Sequence, residues 1–526
     1  MTKTQENRLL LYLGYLTAFL LAGHSAVNSL NHDTAIFIRA GLREVFDQTI
    51  YRDYYVPQGV VAGWIAGLAI RITPTIGWAI ILLSAITNCV AAFLVAEIVQ
   101  QTTQSRFYQC LSAWLTAICF IPIMGAFYND HLAYLWILIG IYWLTHPSTP
   151  TSVGFLVASV LAAVSFHTKQ PVGLMGMATF FSYALFFKTP SSRLKNCAIS
   201  LSGFLIGNAL FWGNYWLEGN WSNYFRYSIE YPYYFATRIK SADSPLFWVL
   251  FPWSIAPSEW VNHLSLGQAS FFVFSLFCYA AIAWIAVSWI RRQTSHPIFG
   301  AIWLLTLSTL WCSSLLGRLY AQLFFGGGGV CALALYAWEN YQPRFKALRR
   351  PICVGLLGVA GIIGGKFIFQ RMNHPNFPGV GQLAPLNVAK HQHLIDANEI
   401  ALFLKDKPGN YALFSEDGYL IPLTLGRPPL SAPVYHEAGL TFPYYRKEAI
   451  PAWEAQMLDQ LKGKDIQYVI LPHGWKQSEK DYPRLSEHFA LLFRRVYIRL
   501  NQDVRERRIH PLKPRPPQRL ATQKVY

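Results

Sequence analysis

Five groups of ionisable residues lie at the ends of long apolar runs in this sequence or in the segments that join them. Charged side chains are costly in or near a bilayer, so residues in such places are candidates for function by default. A carboxylate there could take a proton from an attacking hydroxyl, and a cation could hold a phosphate. The groups are His32-Asp33, Asp53, Asp130-His131, Lys169 and Arg318.

Asp33 and Asp53 are the candidates for a general base. Asp33 opens an amphipathic stretch with apolar residues at roughly helical spacing, so a helix N-cap is the structural alternative for it. Asp53 lies in an aromatic segment, where an ion pair with Arg52 or Arg71 would explain it equally well. Both residues are predicted catalytic carboxylates, and the structural alternatives stay open.

Lys169 and Arg318 place positive charge where a lipid phosphate would lie. Snorkelling of a basic side chain to the membrane surface is the structural alternative. It accounts less well for these two residues, because the other span ends on the same side carry almost no basic residues. We expect both cations to bind a phosphate group.

Asp130 and His131 supply one oxygen and one nitrogen ligand at the start of an apolar run. A metal site needs three or four ligands, so these neighbours would hold a divalent metal only if Asp33 or Asp53 completed the set. Capping of the following helix is the structural alternative. The sequence therefore indicates no certain cofactor and leaves a divalent metal as an open prediction.

Composition places these residues in a membrane protein. Of the 526 residues, 53% are hydrophobic and 13% are charged, which is about half the charged share of an ordinary soluble domain. Aromatic residues make up 16% of the chain, which suits a protein with many membrane-water interfaces. The formal charge is +17, but no polar domain carries a basic stripe with interleaved aromatic residues, so we expect no nucleic-acid partner.

Apolar runs predict a polytopic α-helical membrane protein with about eleven transmembrane helices, since a spanning helix needs roughly 20 apolar residues. With the N-terminus in the cytoplasm, the basic connections 188–195, 291–292 and 344–350 all lie inside, as the positive-inside rule requires. The run Val60 to Ile72 is too short to span and is predicted to be an interfacial or re-entrant helix on the outer side. The predicted spans are Leu9 to Val27, Ile76 to Ile98, Phe107 to Phe127, His131 to Leu144, Ser152 to His167, Val172 to Phe187, Cys197 to Trp216, Ala269 to Ile290, Ile298 to Leu316, Leu319 to Trp338 and Ile352 to Gln370.

An odd number of spans places the C-terminal part outside the cytoplasm. We predict a transmembrane domain over residues 1–370 with long outer loops at 28–75 and 217–268, and a soluble extracytoplasmic α/β domain over residues 371–504. The tail 505–526 is basic and proline-rich, and is predicted to be disordered. In the α/β domain, predicted strands alternate with predicted helices. The strands are Tyr411 to Phe414, Tyr468 to Leu471 and Val496 to Leu500, and the helices are Trp453 to Leu461 and Leu485 to Phe493.

The order of these motifs resembles that of the C-type membrane glycosyltransferases, in particular the bacterial relatives of dolichyl-phosphate-mannose protein mannosyltransferase and of the lipid A aminoarabinose transferase. The shared features are an Asp after the first span, Tyr-Arg-Asp before a proline in the first outer loop, an acidic residue after the third span, Lys-Gln-Pro after the fifth, and Gly-Arg-x-Tyr near the last spans. The resemblance covers roughly Leu9 to Trp338. The chain departs from the family at His32-Asp33, where an Asp-Glu pair is common, and at Gln322-Leu323, where His-Tyr is common.

The resemblance implies transfer of a sugar, with inversion, from a polyprenyl-phosphate donor to a hydroxyl of a lipid, glycan or protein acceptor on the extracytoplasmic face. It implies Asp33 as the base and Lys169 and Arg318 as ligands of the donor phosphate. Tyr320 belongs to the same Gly-Arg-x-Tyr motif and is assigned to the phosphate site with them. Asp53 stays the second candidate for the base. The implied location is the inner or plasma membrane, with membrane lipid as a partner.

A lipid-linked sugar transporter or flippase is the alternative function. Such a protein would also cross the bilayer many times and bind a lipid phosphate. Transporters usually bind their substrate near the bilayer midplane, between repeats. The ionisable groups of this chain cluster on one face instead, which favours the enzyme.

Overall fold

The computed structural model describes most of the N-terminal half of the chain and shorter pieces of the remainder. The described residues are 3–27, 32–73, 76–119, 127–234, 297–314, 326–341, 347, 351–358, 361, 392–414, 420–431, 454–455, 458–459, 461, 464–471, 489–493 and 496–499. The predicted span Ala269 to Ile290 and the predicted tail 505–526 lie outside them.

Helices make up most of the described chain before residue 359. Every predicted span that the structure describes is helical over at least part of its length, because a chain in an apolar solvent must satisfy its backbone groups internally. The first nine helices are α1 (Lys3–Val27), α2 (His32–Val45), α3 (Val61–Ile72), α4 (Ile76–Thr103), α5 (Arg106–Cys119), α6 (Asn129–Thr145), α7 (Thr151–Phe166), α8 (Gln170–Phe187) and α9 (Pro190–Leu217). Short helical turns follow at Trp221–Phe225, Arg226–Glu230 and Tyr231–Tyr234, and longer helices at Pro297–Ser314, Gly327–Tyr341 and 351–358.

Within the described residues, three helical segments are long and apolar enough to cross a membrane: Gly77–Thr103, Gln170–Phe187 and Pro190–Leu217. The segments Val61–Ile72, Thr151–Phe166 and Ile298–Thr309 are apolar but shorter. The chain is thus a mostly helical protein with several segments suited to a bilayer. The number of eleven spans stays a prediction.

Small residues bring the long helices close together. A Cβ on Gly207 of α9 would lie 2.6 Å from the Cβ of Ala163 in α7, so the two helices meet where one side chain is missing. The glycine run 326–329 likewise lets its helix pack closely against α5, because a Cβ on Gly328 would lie 2.5 Å from Thr116 Oγ1. Close packing of this kind holds membrane helices together, since lipid tails are as apolar as the side chains they replace.

The short helices α2 and α3 pack against each other. A Cβ on Gly41 of α2 would lie 2.5 Å from the backbone nitrogen of Gly67 in α3, so the two backbones touch. Helix α3 matches the prediction for the run Val60 to Ile72. Its place at the surface of a membrane stays a prediction.

The C-terminal part contains a four-stranded sheet in the order β1-β2-β4-β3. The strands are β1 (Asn410–Leu413), β2 (Ile466–Ile470), β3 (Phe489–Phe493) and β4 (Val496–Arg499). β1 and β2 are parallel, whereas β4 is antiparallel to β2 and to β3. Helices lie at Gln392–Lys405 and Leu420–Leu425. The domain boundaries at 371 and 504 stay predictions.

The prediction of a helix over Leu485 to Phe493 is wrong for its last five residues, which form β3. That run, Phe-Ala-Leu-Leu-Phe, is apolar throughout. A short apolar run has no periodicity that separates a buried strand from a buried helix, so pairing with β4 decides its structure.

Candidate active site

The turn between α7 and α8 carries Lys169, which is the N-cap of α8. Helix α8 begins there because Pro171 occupies its first turn, where a missing N–H costs nothing. The Lys169 ammonium lies 3.5 Å from Oδ1 of Asp130 in the first turn of α6. The Asp130 side chain is 1% exposed and that of Lys169 is 17% exposed, so the ion pair is shielded from solvent. Two of the predicted site residues therefore lie together.

Asp130 is not the N-cap of α6. That position belongs to Tyr128, which makes no side-chain cap hydrogen bond, and Asp130 lies inside the first turn, where the helix dipole favours a negative charge. His131 is buried next to it, and its ring centroid lies 5.8 Å from that of Tyr128. The pairing of Lys169 with a buried carboxylate also differs from snorkelling, which would carry the ammonium into solvent.

Asp130 and His131 do not fit a divalent metal well. In the part of the chain that the structure describes, no group of three or more His, Cys, Asp and Glu side chains could hold a metal ion. The Asp130 carboxylate faces an ammonium, which would compete with a metal cation for the same oxygen and repel it.

The side chain of Gln170, next to Lys169, joins two loops. Its Nε2 donates hydrogen bonds to the backbone oxygens of Pro57 and Ser228, each at 3.0 Å. Pro57 belongs to the loop between α2 and α3, residues 46–60, which also contains Asp53 and is called the Asp53 loop below. Ser228 lies in the helical turns that follow α9. Gln170 thus fastens both loops to the turn that carries Lys169.

The Asp53 loop also touches the end of α7 directly. The N–H of Val61 donates to the backbone oxygen of His167 at 3.1 Å. A Cβ on Gly59 would lie 1.8 Å from the same oxygen, so only glycine allows the loop to pass. The loop is therefore held at a fixed place beside Lys169.

Tyr51 takes a backbone conformation that is rare for a large side chain, with φ of 61°. Three groups hold it there. Its N–H donates to the Tyr54 oxygen at 2.6 Å, its own carbonyl accepts from Asn223 Nδ2 at 2.8 Å, and its hydroxyl shares a hydrogen bond with Ser228 Oγ at 2.5 Å. Strained residues persist only where the surroundings fix them, and they concentrate at functional sites.

Asp53 makes the ion pair that the sequence left open as an alternative. Its Oδ2 lies 2.8 Å from Arg52 Nη2 and accepts a hydrogen bond from the Thr49 N–H at 2.8 Å. Partial burial raises the pKa of Asp53, but the hydrogen bonds from Arg52 and Thr49 and the charges of Arg52 and Lys464 outweigh burial, and the net pKa is lowered. The carboxylate is 34% exposed, so it stays open to solvent.

Arg71, the other partner considered for Asp53, binds elsewhere. Its Nη2 donates to the backbone oxygen of Glu44 at 2.9 Å and lies 3.5 Å from Asp47 Oδ1. The Glu44 side chain accepts a hydrogen bond from the Tyr54 hydroxyl. Burial raises the pKa of Glu44, against the opposing hydrogen bonds from Tyr54 and Trp64 and the charge of Arg71.

Three further predicted site residues are not placed in full. Asp33 is the second residue of α2, but its side chain lies outside the described part of the structure. Arg318 and Tyr320 lie outside it altogether. The roles assigned to these three residues stay predictions.

The residues predicted for the site do not include those that hold the loops together, namely Gln170, Tyr51 and Ser228. Gln170 lies inside the Lys-Gln-Pro motif, and its position next to Lys169 could have indicated a place in the site. Two buried arginines of α2, Arg39 and Arg43, are not among the predicted residues either. Their spacing of four residues puts them on one face of the helix, and this spacing could have indicated a pair.

The helices that carry Asp130 and Lys169 match those of a known family of proteins. The family model of dolichyl-phosphate-mannose-protein mannosyltransferase matches residues 57–216, which include Asp130 and Lys169 and make up less than a third of the chain. The crystal structure of apo ArnT from Cupriavidus metallidurans matches with a TM-score of 0.55 and 12% sequence identity, over 95% of this chain and 98% of that one. The chain resembles membrane glycosyltransferases of the ArnT and mannosyltransferase type.

The resemblance predicted from the motifs is thereby confirmed, and at this identity the ArnT match shows a shared fold. A structure of the same ArnT bound to undecaprenyl phosphate matches with a TM-score of 0.48 and 13% identity, over the same shares of both chains. A comparison with curated protein sequences found no match. The family match begins after Asp33 and Asp53 and ends before Arg318, so the roles that the motifs predict for these three residues stay predictions.

Proposed function

We propose that this chain transfers a sugar, with inversion, from a polyprenyl-phosphate donor to an acceptor hydroxyl on the extracytoplasmic face of a cell membrane. The observation that carries the proposal is the shielded pair of Lys169 and Asp130, which Gln170 joins to the Asp53 loop. A cation in such a place suits the phosphate of a lipid, because charge-assisted hydrogen bonds gain strength away from water. The matching family is named for a lipid-phosphate sugar donor, which supports the donor class.

The reaction would break the bond between the anomeric carbon and the phosphate oxygen while the acceptor oxygen attacks that carbon. The bonding electrons leave with the phosphate, so negative charge grows there in the transition state. Lys169 would stabilise this charge, together with Arg318 and Tyr320. Asp33 would take the proton of the acceptor hydroxyl, and Asp53 is the second candidate for this base.

Asp130 would position Lys169 in this scheme. An ammonium has three N–H donors, so it can face a carboxylate on one side and a phosphate on another. The acceptor would be a lipid, a glycan or a protein. The location that we propose is the inner or plasma membrane, with the N-terminus in the cytoplasm and the C-terminal part outside it. Reporter fusions that place Asp417 in the cytoplasm would contradict this orientation.

The test of the donor site compares two lysines that stand at opposite ends of α8. Lys169→Ala should weaken binding of undecaprenyl phosphate by about 10-fold to 100-fold, because a charge-assisted contact in a shielded site contributes roughly 1.5–3 kcal/mol. Lys188→Ala is the matched control. Lys188 is the C-cap of the same helix, and its ammonium lies 4.9 Å from the centroid of the Tyr183 ring. Equal binding by the parent and both variants would contradict the proposed phosphate site.

A further inference from the structure

Two arginines of α2 are buried where this helix meets the C-terminal part of the chain. Arg39 is 2% exposed and Arg43 is 1% exposed. Arg43 Nη2 donates to the backbone oxygen of Ser431 at 2.6 Å, and its Nη1 donates to Gln48 Oε1 at 3.1 Å. Ser431 is itself fixed to β1, because its hydroxyl exchanges hydrogen bonds with the backbone of Leu413, each at 3.1 Å. The guanidinium of Arg43 is therefore fixed by Gln48 on one side and by Ser431 on the other.

Unlike Arg43, Arg39 makes no hydrogen bond with its guanidinium to the residues that the structure describes. Its Nε, Nη1 and Nη2 atoms are all buried, and among the residues that the structure describes none accepts a hydrogen bond from them. Burial and, to a smaller extent, the neighbouring charge of Arg43 lower the pKa of Arg39 to about 9, against the opposing influence of Tyr411. An unpaired guanidinium in such a place costs several kcal/mol, so natural proteins pair it.

Among the residues that the structure describes, the positive charges near this arginine pair outnumber the negative ones. Lys464 adds a third cation near Arg43, with its ammonium 2.8 Å from the backbone oxygen of Leu430. The acidic group that acts on Arg43 and on Lys464 is Asp53, whose carboxylate is engaged by Arg52 and by the Thr49 N–H. A carboxylate ligand would neutralise one guanidinium, whereas a phosphate group carries about 1.5 to 2 negative charges and fits the donor forks of two.

We propose that Arg39 and Arg43, with Lys464 near Arg43, form a binding site for a phosphate group between α2 and the C-terminal part. The phosphate would come from the head group of a lipid or from free phosphate, and it would supply the acceptor oxygens that Arg39 lacks. This site is built from other residues than the one proposed at Lys169, and it does not rest on the transfer reaction. Its occupation would hold α2, which begins next to Asp33, against the sheet.

The experiment measures the thermal unfolding midpoint of the full chain during titration with inorganic phosphate, with chloride at matched ionic strength as the reference. The variants are Arg39→Met, Lys169→Ala and, as the matched control, Arg71→Gln, which changes an arginine that is bonded to the same helix but exposed. We expect a saturable rise in the parent, in Lys169→Ala and in Arg71→Gln. In Arg39→Met the apparent affinity should fall by about 10-fold to 100-fold, since a charge-assisted contact is lost.

A second arm separates the two sources of phosphate. Nanodiscs of phosphatidylcholine are compared with nanodiscs that also contain phosphatidic acid. A rise that depends on Arg39 and occurs only with phosphatidic acid supports a lipid head group, and a rise with inorganic phosphate supports the free ion. No rise in either arm, or an unchanged response of Arg39→Met, overturns the proposal. A response that is lost only in Lys169→Ala also overturns it and assigns the phosphate to the other site.

Arg39→Lys keeps the test decisive if Arg39→Met does not fold. Lysine keeps the charge but replaces the planar fork with a compact ammonium, so the apparent affinity for phosphate should fall while the fold is kept. An affinity equal to that of the parent would overturn the proposal.

Discussion

The ammonium of Lys169 lies 3.5 Å from the carboxylate of Asp130, across the space between α8 and α6. Each residue stands in the first turn or at the cap of its helix, so the pair ties together two helix ends. Because both side chains are shielded, removal of one partner leaves the other buried and uncompensated.

This relationship predicts strong coupling between the two residues. Asp130→Asn should lower the free energy of unfolding by about 3–5 kcal/mol, as the loss of one partner of a buried ion pair does. The double variant Asp130→Asn with Lys169→Met should recover part of that loss, because it leaves no charge unpaired. Unfolding in detergent, measured on both single variants and the double variant, gives the coupling energy. Additive losses would show that the two side chains act independently.

A second prediction concerns Gln170 and the two loops that it joins. Gln170→Ala removes two hydrogen bonds, so the Asp53 loop and the segment around Ser228 should open more often, and amide hydrogen exchange should rise in both. Transfer should fall with them, because the loop is no longer held beside Lys169. Gln109→Ala is the control. Gln109 is buried and likewise bridges two partners, the side chains of Glu97 and Arg106. That variant should leave exchange in both loops unchanged.

The sequence could predict the helices but only part of the site. Long apolar runs fix a helix in a bilayer whatever they touch, which is why α3 and the described spans match the prediction. Charges at the ends of those runs identified Lys169, Asp130 and Asp53. The contact between Lys169 and Asp130 could not be predicted, because it depends on how α6 and α8 pack.

Other features could not be predicted either, because they also depend on contacts between distant parts of the chain. The choice of ion-pair partner for Asp53 needed the positions of Arg52 and Arg71. The strand β3 needed its partner β4. Arg39 is buried where α2 packs against residues far along the chain, and no local sequence pattern predicts such a contact.

A third prediction is a pH dependence from Asp53. Its pKa in the folded chain is lowered from the ordinary value of 3.8, so the folded state favours the ionised carboxylate. The stability that it contributes is therefore present above the unfolded pKa and is lost as the pH falls through the folded pKa. The unfolding midpoint of Asp53→Asn should be lower than that of the parent near neutral pH, and the difference should shrink in acid below pH 3.8. Asp47→Asn, an exposed change in the same loop, is the control. A difference that stays constant with pH would contradict the lowered pKa.

The last prediction separates the two readings of Asp33, the second residue of α2. Asparagine has nearly the size of aspartate and serves a helix start about as well, but it cannot accept a proton. If Asp33 is the general base, Asp33→Asn should keep donor binding and thermal stability while transfer falls by about 10²–10⁴-fold. The measurement is a transfer assay with purified variant in detergent, with expression and the unfolding midpoint followed alongside, and Asp53→Asn is the parallel variant. Undiminished transfer by Asp33→Asn would remove the base assignment and favour Asp53, whose carboxylate is partly exposed to solvent.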